Sequence, residues 1–492
     1  MQQDRTEETA SETKRLFSSS TALIIGRLAT AVFGWAGSVI IARTLSPDDW
    51  GRYSFVFALL GIMSVITDLG VGRVVLARLN SEDPDEIAGI SGSFIALRTT
   101  LGFLGYGIAV GYAWLTGLAP LVVLAAALAG STVVLATPAN ALFVLYQSRL
   151  RLTYVAVWDI IGQIIQFLGI LAVATWHPSL LWFILPAILR EVVVIIARAV
   201  GVPGLFAPGT RPSRRHLTRY WGEMLREAIP ISIGFALLTL LERIDMLMLE
   251  RLGTYEAVGL YAVGYKFSDL LALVVSALAI PYTTVLIKAW PNRTEEFRER
   301  VYQSIAVTAL LGGLAVVVFW PAARGVVTLL YGDQFAPAAT AAALLVTASA
   351  LSGLLYVVVS ALIAARKLRV FPWIAAAGLL LNIGLNALLI PEWSILGAAT
   401  ATLTTQVIML VSMLLLLQFT LGIPGVAPWG LLLRQCAVAA IVAVSATSLH
   451  AAGEWSWLVV SLLAGAAHLV ISMGVDKQVR ALVLAPLRKG SD

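Results

Sequence analysis

The sequence has little of what catalytic or metal chemistry uses. Its 492 residues include one cysteine, Cys436, and four histidines, and only 13% of the residues are charged. One cysteine excludes an internal disulfide and a thiolate metal cluster, and the histidines are too scattered to form a metal site. No glycine-rich loop followed by Lys and Ser or Thr occurs, so we expect no direct use of ATP. We also expect no cofactor apart from a possible coupling ion, Na⁺ or H⁺.

Apolar residues, by contrast, make up 59% of the chain. Apolar runs of about 20 residues recur from Leu16 to Val475, and a helix of that length crosses about 30 Å of hydrocarbon. Backbone groups in lipid must be satisfied within the helix, so the composition predicts an all-α, multi-pass membrane protein. The polar first 15 residues, followed by a long apolar run, are typical of a retained first span.

Charged and Pro/Gly-rich breaks divide the chain into fourteen predicted spans. Their approximate centres lie near residues 30, 60, 102, 131, 164, 190, 239, 272, 309, 350, 380, 407, 440 and 464. The cations concentrate in alternate loops, above all between Val202 and Glu227, and the positive-inside rule therefore predicts that both termini are cytoplasmic. We expect the plasma (bacterial inner) membrane, contact with membrane lipids, and no nucleic-acid partner despite the net charge of +6.

Two pairs of stretches recur about 210 residues apart. "LSPDDWGRY" is echoed by "LGTYEAVGLY", and "QSRLRLTYV" by "AARKLRVFP". This repeat predicts two six-span bundles in a pseudo-twofold arrangement around a central cavity, plus two C-terminal helices. The predicted organisation is a cytoplasmic tail over 1–16, an N-terminal bundle over 17–201, a cytoplasmic linker over 202–226, a C-terminal bundle over 227–420, two extra helices over 429–475 and a cytoplasmic tail over 476–492.

The stretch "LTLLERIDMLMLERLG" places Glu242, Arg243 and Asp245 inside a predicted span. A charge at the centre of a span costs roughly 2.5 to 3.5 kcal/mol, so these side chains must face protein or a wet cavity. In a continuous helix, Glu242 and Asp245 share a face because they are three residues apart.

Two interpretations of the intramembrane charges stay open. In the first, the charges form interhelical ion pairs, and the expected acidic partners are Asp68, Glu242 and Asp269. In the second, they form a cationic cavity for an anionic head group, because guanidinium groups suit phosphate. The candidate head-group contacts of that cavity are Arg27, Arg98, Arg243 and Lys266.

Four stretches resemble a known family. They are "LSPDDWGRYSFVFALLGIMSVITDLGVGR", "ERIDMLMLERLGTYEAVGLYAVGYKFSDLLALVVSALAIPYTTVL", "LLYGDQFAPAATAAALL" and "LNIGLNALLIPEWSILGAATATLTTQ". In order and spacing, from about Phe17 to Phe419, they resemble the polysaccharide flippases (O-antigen and oligosaccharide translocases) of the multidrug, oligosaccharidyl-lipid and polysaccharide exporter superfamily. The resemblance implies a fourteen-helix fold of two bundles around a V-shaped cavity. It also implies alternating-access transport of a polyprenyl-pyrophosphate-linked oligosaccharide to the outer leaflet for surface polysaccharide assembly.

The resemblance also implies functional residues and partners. Related lipid II flippases hold pyrophosphate with arginines of spans one, two and eight, and the nearest matches here are Arg27, Arg52 and Lys266. Those relatives bind Na⁺ with residues whose matches are Asp245, Asn382, Asn386 and Thr402. At Asn386 the relatives tend to have a second carboxylate, so a proton on Asp245 is the alternative to Na⁺. Glycosyltransferases and a polymerase of the same pathway are implied as partners.

Three other functions stay open. A multidrug exporter of the same superfamily is the first, although organic cations favour an acidic cavity and bases predominate here. A membrane glycosyltransferase using lipid-linked donors would need acids in an outward loop, where Asp48 and Asp49 lie, and helix capping is the other explanation for these acids. A scaffold without transport activity is the third. We predict a transporter and not an enzyme.

Overall fold

The computed structural model describes residues 26–79, 83–206, 210–213, 217–453 and 455–481. These residues form helices joined by short connections, and no strand occurs among them. The all-α prediction is therefore confirmed. By contacts the chain divides into two compact units, which are Met1–Leu247 and Met248–Asp492.

Unit 1 contains eight helices over the residues that the structure describes, and α9 (Ile244–Leu252) crosses the division between the units. Helix starts follow the expected chemistry, since the Ser46 side chain accepts a hydrogen bond from the Asp49 N–H at the start of α2, and proline follows the cap. The helices are α1 (26–44), α2 (Pro47–Asp68), α3 (Val71–Arg78), α4 (Pro84–Leu115), α5 (Pro120–Ser148), α6 (Leu152–Trp176), α7 (Leu185–Gly201) and α8 (Trp221–Leu241).

Helix α8 packs within unit 1, on the turn between α2 and α3. The Ser232 hydroxyl donates to the Leu69 carbonyl at 3.0 Å, and a Cβ on Gly70 would lie 1.8 Å from the Ser232 hydroxyl oxygen. Arg78 of α3 also pairs with Glu223 of α8 at 2.8 Å. Because of these contacts α8 belongs to unit 1, and the division between the two units follows α8. The sequence repeat instead predicts a boundary in the linker over 202–226.

Part of that linker is bound to α4. The Ser213 N–H donates to the Ala88 carbonyl at 2.8 Å, and the Trp221 indole N–H donates to the Ser93 carbonyl at 3.0 Å. Gly92 lies between these contacts, and a Cβ there would meet the Ser213 carbonyl oxygen at 1.8 Å. The linker backbone therefore packs against α4 at a distance that only glycine allows.

Replacing Gly92 with Ala should release the linker from α4, because a backbone atom cannot move aside as a flexible side chain can. We expect faster trypsin cleavage of the linker after Arg219, which is exposed, than in the wild-type protein. Gly107→Ala is the matched control, since Gly107 lies in the same helix with no atom within 4 Å of the added Cβ. Equal cleavage rates in the two variants would contradict this close packing.

Unit 2 contains six α-helices that begin after α9 in the part of the chain that is described. They pack through small residues, as where Gly264 of α10 faces Ala342 of α12 and Gly312 of α11 faces Ala350 of α12. The helices are α10 (Tyr255–Ala289), α11 (Thr294–Tyr331), α12 (Ala339–Ala364), α13 (Phe371–Leu421), α14 (Trp429–Ala451) and α15 (Trp457–Val475).

Helix α13 is a helical hairpin. Ser394 has φ 49° and ψ −125°, which interrupts the helix, and a Cβ on Gly397 would lie 2.2 Å from the Leu389 carbonyl oxygen. Farther from the turn at Ser394, a Cβ on Gly378 would lie 2.6 Å from the Met409 sulfur. Residue numbers therefore rise in one half as they fall in the other, so the halves are antiparallel. This agrees with the two spans predicted near residues 380 and 407.

Every predicted span centre lies within a helix. Over the described residues, nine helices are long and apolar enough to cross a membrane, or ten if the bent pair Trp221–Pro230 and Ser232–Leu252 is one span. The hairpin of α13 is one of the nine. The total of fourteen spans stays a prediction.

The C-terminal helices are joined to α11 by a buried carboxylate. Asp476 follows α15 and is 4% exposed. It accepts hydrogen bonds from the Tyr302 hydroxyl at 3.0 Å, the Arg434 guanidinium at 2.7 Å, and the N–H groups of Gln478 and Val479 at 2.9 and 3.2 Å. Burial by itself raises the pKa of Asp476, but these hydrogen bonds outweigh burial, and the resulting pKa lies below its usual value.

Asp476→Asn should destabilise the protein. Hydrogen bonds to a charged group contribute about 1.5 to 3 kcal/mol, and we expect a loss in this range because Arg434 is 47% exposed and stays hydrated. A lowered folded-state pKa means that the unfolded chain protonates first as pH falls. The stabilisation is therefore complete above about pH 4 and is lost below it.

Thermal unfolding of the purified protein in detergent measures this effect. Glu295→Gln is the control, because the Glu295 side chain is 75% exposed in its pair with Arg298 and such pairs contribute little. An Asp476→Asn variant with the wild-type Tm at neutral pH would contradict the role assigned to this carboxylate.

Candidate functional site

The charged stretch that follows α8 is a helix break. Helix α8 ends at Leu241 and α9 begins at Ile244. Glu242 is exposed, whereas Asp245 is fully buried. The expectation that these two acids share one helical face is therefore wrong, because the intervening turn reorients the chain. Asp245 accepts the Met246 N–H at 2.8 Å in the first turn of α9, where a carboxylate is favoured by the helix dipole.

Arg243 lies beside α2. The Gly61 position has the Arg243 Cγ atom as its nearest neighbour, 4.0 Å from an ideal Cβ. Gly61 is one helical turn before Ser64 of the same helix, and Ser64 lines a cavity of unit 1. The aliphatic part of Arg243 therefore packs one turn from that cavity.

A charged cavity of unit 1 has a volume of about 380 Å³ and is formed by α1, α5, α6 and α7. We call it the arginine cavity. Three arginines and two carboxylates line it, together with Thr30, Asn140 and smaller residues. The charged residues are Arg27, Asp159, Arg190, Glu191 and Arg198. Their formal charges leave one positive charge in excess.

The arginines of this cavity differ in how they are held. Arg198 is buried, pairs with Asp159 at 2.6 Å and donates to the Ala139 carbonyl at 2.9 Å. Arg190 pairs with its sequence neighbour Glu191 at 2.5 Å and is partly exposed. Arg27 is exposed, and no carboxylate of the described chain pairs with it. Of these three arginines, only Arg27 is a contact predicted from the sequence.

A second cavity of about 400 Å³ lies next to the first. Asn140 and Phe143 line both. In the second cavity Arg98 is 4% exposed and donates at 2.6 Å to both the Thr67 carbonyl and the Asp68 carboxylate. The Asp68 side chain is 66% exposed. Arg98 therefore lies behind Asp68, which is the group that faces the opening.

The other predicted basic contacts lie elsewhere. Arg52 is in the second turn of α2 and pairs with Asp48 at 2.7 Å and with Asp49 at 2.9 Å. It does not line either of the two cavities. Lys266 and Asp269 lie on α10 in unit 2, where Lys266 is half-buried and Asp269 is exposed.

The α13 hairpin brings buried polar side chains together. Asn382, Asn386 and Thr405 are fully buried. The Asn386 amide donates to the Asn382 side-chain oxygen at 2.8 Å, and the Asn382 amide lies 3.4 Å from the Thr405 hydroxyl. Thr402, which the sequence analysis singled out, is nearly buried one turn before Thr405. Thr405 is not among the residues predicted from the sequence, although it lies three residues after Thr402 on the same helix.

The side-chain oxygen of Asn386 fits a cation ligand. It is buried and accepts no hydrogen bond from the residues described. A buried amide oxygen without a donor is costly, and hard cations prefer oxygens of this kind. The described residues of this hairpin therefore fit a small hard cation.

Comparisons with known proteins agree with this architecture. The family model described as "Polysaccharide biosynthesis protein" matches residues 16–287, more than half of the chain. No curated protein sequence matches. Among solved structures, the lipid II flippase MurJ in an inward closed conformation has a TM-score of 0.71 and 11% identity, covering 94% of this chain and 98% of its own.

Two multidrug resistance MATE family transporters of the MOP superfamily are also similar. The inward-facing one has a TM-score of 0.66 and 13% identity, covering 81% of this chain and 98% of its own. The outward-facing one has a TM-score of 0.60 and 13% identity, covering 83% and 96%. At these identities the solved structures establish a common fold. They do not establish a common substrate.

Proposed function

Because the chain belongs to the polysaccharide biosynthesis protein family, we propose that it is a flippase for polyprenyl-pyrophosphate-linked oligosaccharide. It moves this substrate from the cytoplasmic to the outer leaflet of the bacterial inner membrane, with both of its termini in the cytoplasm. Glycosyltransferases and a polymerase of the same pathway supply and consume the substrate.

The observation that carries this proposal is the arginine cavity. A diester pyrophosphate is strongly anionic and must be shielded as it crosses hydrocarbon. The cavity offers Arg27 and an excess of positive charge, and guanidinium groups bind phosphate oxygens through paired hydrogen bonds. Its volume of about 380 Å³ is in the range of small-molecule sites. The cavity therefore suits the head group, and the prenyl chain can stay in lipid.

Alternating access is the transport cycle that we propose. A substrate can shift the equilibrium between two conformations only by binding one of them better than the other. Binding energy from the pyrophosphate group would favour the conformation in which the arginine cavity is open to the cytoplasm. Release at the outer leaflet would follow the opposite change. Arg52, Arg98, Arg243 and Lys266 stay predicted contacts.

Arg27→Glu should abolish glycan export while the protein stays in the membrane. A carboxylate at this position repels the pyrophosphate and removes the positive excess of the cavity. Export is measured as surface glycan in cells that depend on this protein, with its membrane level measured by immunoblot. Arg300→Gln is the control, because Arg300 is an exposed residue of α11 outside the cavity. Normal export by Arg27→Glu would contradict the proposed role of Arg27.

The α13 hairpin supports a second proposal, which is cation coupling. Asn382, Asn386 and Thr405 would hold the ion through their side-chain oxygens, and Asp245 and Thr402 are the further ligands predicted from sequence. A bound Na⁺ would supply positive charge to a buried amide oxygen that otherwise has no donor. A proton on Asp245 is the alternative.

Na⁺ should raise the Tm of the purified protein more than K⁺ does, because a ligand stabilises the state that binds it. Asn386→Leu should remove the difference between the two ions. Asn386→Asp should enlarge it, since a carboxylate adds charge to the site. Equal Tm values in Na⁺ and K⁺ for the wild-type protein at neutral pH would contradict Na⁺ binding and leave proton coupling as the alternative.

Export of organic cations is the competing function. The similarity to MATE transporters does not distinguish the two functions, because the same fold is compatible with both. The positive excess of the arginine cavity favours an anionic guest over a cationic one. A rise in Tm with prenyl pyrophosphate and none with organic cations would decide in favour of the flippase.

A further inference from the structure

We propose that Glu191 competes with a substrate phosphate for the Arg190 guanidinium in the arginine cavity, and that the phosphate displaces it. Arg190 is then a second head-group contact beside Arg27, and Glu191 is an internal competitor that sets the affinity. This inference rests on the proposed function. It names a residue pair that neither the sequence pattern nor the family resemblance singled out.

The geometry of the pair indicates that it can exchange. Arg190 and Glu191 are adjacent in α7, so their Cα–Cβ bonds point about 100° apart, and neighbours at this spacing do not normally face each other. Their side chains nevertheless meet at 2.5 Å. Only one guanidinium nitrogen makes this contact, so the fork that could hold two phosphate oxygens is only partly used.

Arg198 shows what a fixed arginine looks like in the same cavity. Its side chain is 6% exposed and contacts both Asp159 and the Ala139 carbonyl, whereas the Arg190 side chain is 30% exposed. The Nε–H of each is buried and meets no acceptor in the described residues. Of these two arginines, only Arg190 combines an unused donor with a guanidinium group that a ligand can reach.

The base of the Arg190 side chain is held in position. It packs on Gly162 of α6, where an added Cβ would lie 3.3 Å from the Arg190 Cγ. The aliphatic part of Arg190 is therefore held in place, whereas its guanidinium group can bind either Glu191 or a phosphate. Arg27, on α1, lines the same cavity, so a pyrophosphate could meet one guanidinium from each of two helices.

The displaced carboxylate would keep a counter-charge. Glu191 lines the arginine cavity together with Arg198 and Asp159 as well as Arg190. An uncompensated buried carboxylate would make the exchange costly. Because Arg198 lines the same cavity, phosphate can replace Glu191 on Arg190 without removing every positive charge from the surroundings of the acid.

The test is a double-mutant cycle on the purified full-length protein. The probe is a short-chain prenyl pyrophosphate linked to N-acetylglucosamine, and its Kd is measured by isothermal titration calorimetry. We expect Arg190→Gln to weaken binding about tenfold or more, as for loss of a charge-assisted hydrogen bond. The Kd of Arg190→Lys should lie between those of the wild-type protein and Arg190→Gln, because lysine keeps the charge but lacks the paired donors of a guanidinium group.

Glu191→Gln should tighten binding in the wild-type background. In an Arg190→Gln background the same change should have little effect, because the competitor then has nothing to occupy. Removal of a negative charge acting only at a distance would tighten binding equally in both backgrounds, and that result would overturn the inference. Arg300→Gln is the matched control and should leave Kd unchanged.

Two outcomes separate the failure of this inference from the failure of the proposed function. A wild-type protein that binds the probe, with Arg190→Gln and Arg190→Lys variants that bind it equally well, would overturn the role of Arg190 and leave the flippase proposal intact. A wild-type protein that does not bind the probe would overturn both. Only variants whose Tm and elution volume equal those of the wild-type protein are compared, so that a loss of folding is not mistaken for a loss of binding.

Discussion

A charged side chain at the depth of the hydrocarbon is costly unless a counter-charge or water accompanies it, and the interior of unit 1 is arranged around that constraint. Arg98 reaches Asp68 across 30 residues of sequence, and Arg198 reaches Asp159 across 39. Each pair joins two helices and buries the guanidinium more deeply than the carboxylate. Breaking a buried pair strands a charge, so these pairs specify which helices are neighbours.

The arginines of unit 1 differ in how firmly they are held. Arg98 and Arg198 also donate to backbone carbonyls, which fixes them in the wall. Arg27 and Arg190 line the arginine cavity without such anchors among the described contacts. Ion pairing therefore describes Arg98 and Arg198, and the cationic head-group cavity stays a proposal.

Unit 2 uses polar chemistry of another kind. Its α13 hairpin buries a chain of amides and a hydroxyl in place of ion pairs, from Asn386 through Asn382 to Thr405. Small residues let the helices approach closely, and the Asp476 carboxylate fastens the last two helices to α11. The orphan oxygen of Asn386 is the one part of this amide chain that a bound cation would complete.

The sequence by itself determined the helices and their membrane location, because apolar runs are formed by residues close in the chain. For the same reason it predicted that Asn382 and Asn386, four residues apart, lie on one face of a helix. It also identified Arg27 and the charged stretch after α8 as unusual for lipid. Only the tertiary structure decided that this stretch is a helix break, that Asp68 and Asp159 neutralise particular arginines, and that Arg190 faces a cavity. Those outcomes depend on which helices pack together, and that information lies in contacts dozens of residues apart.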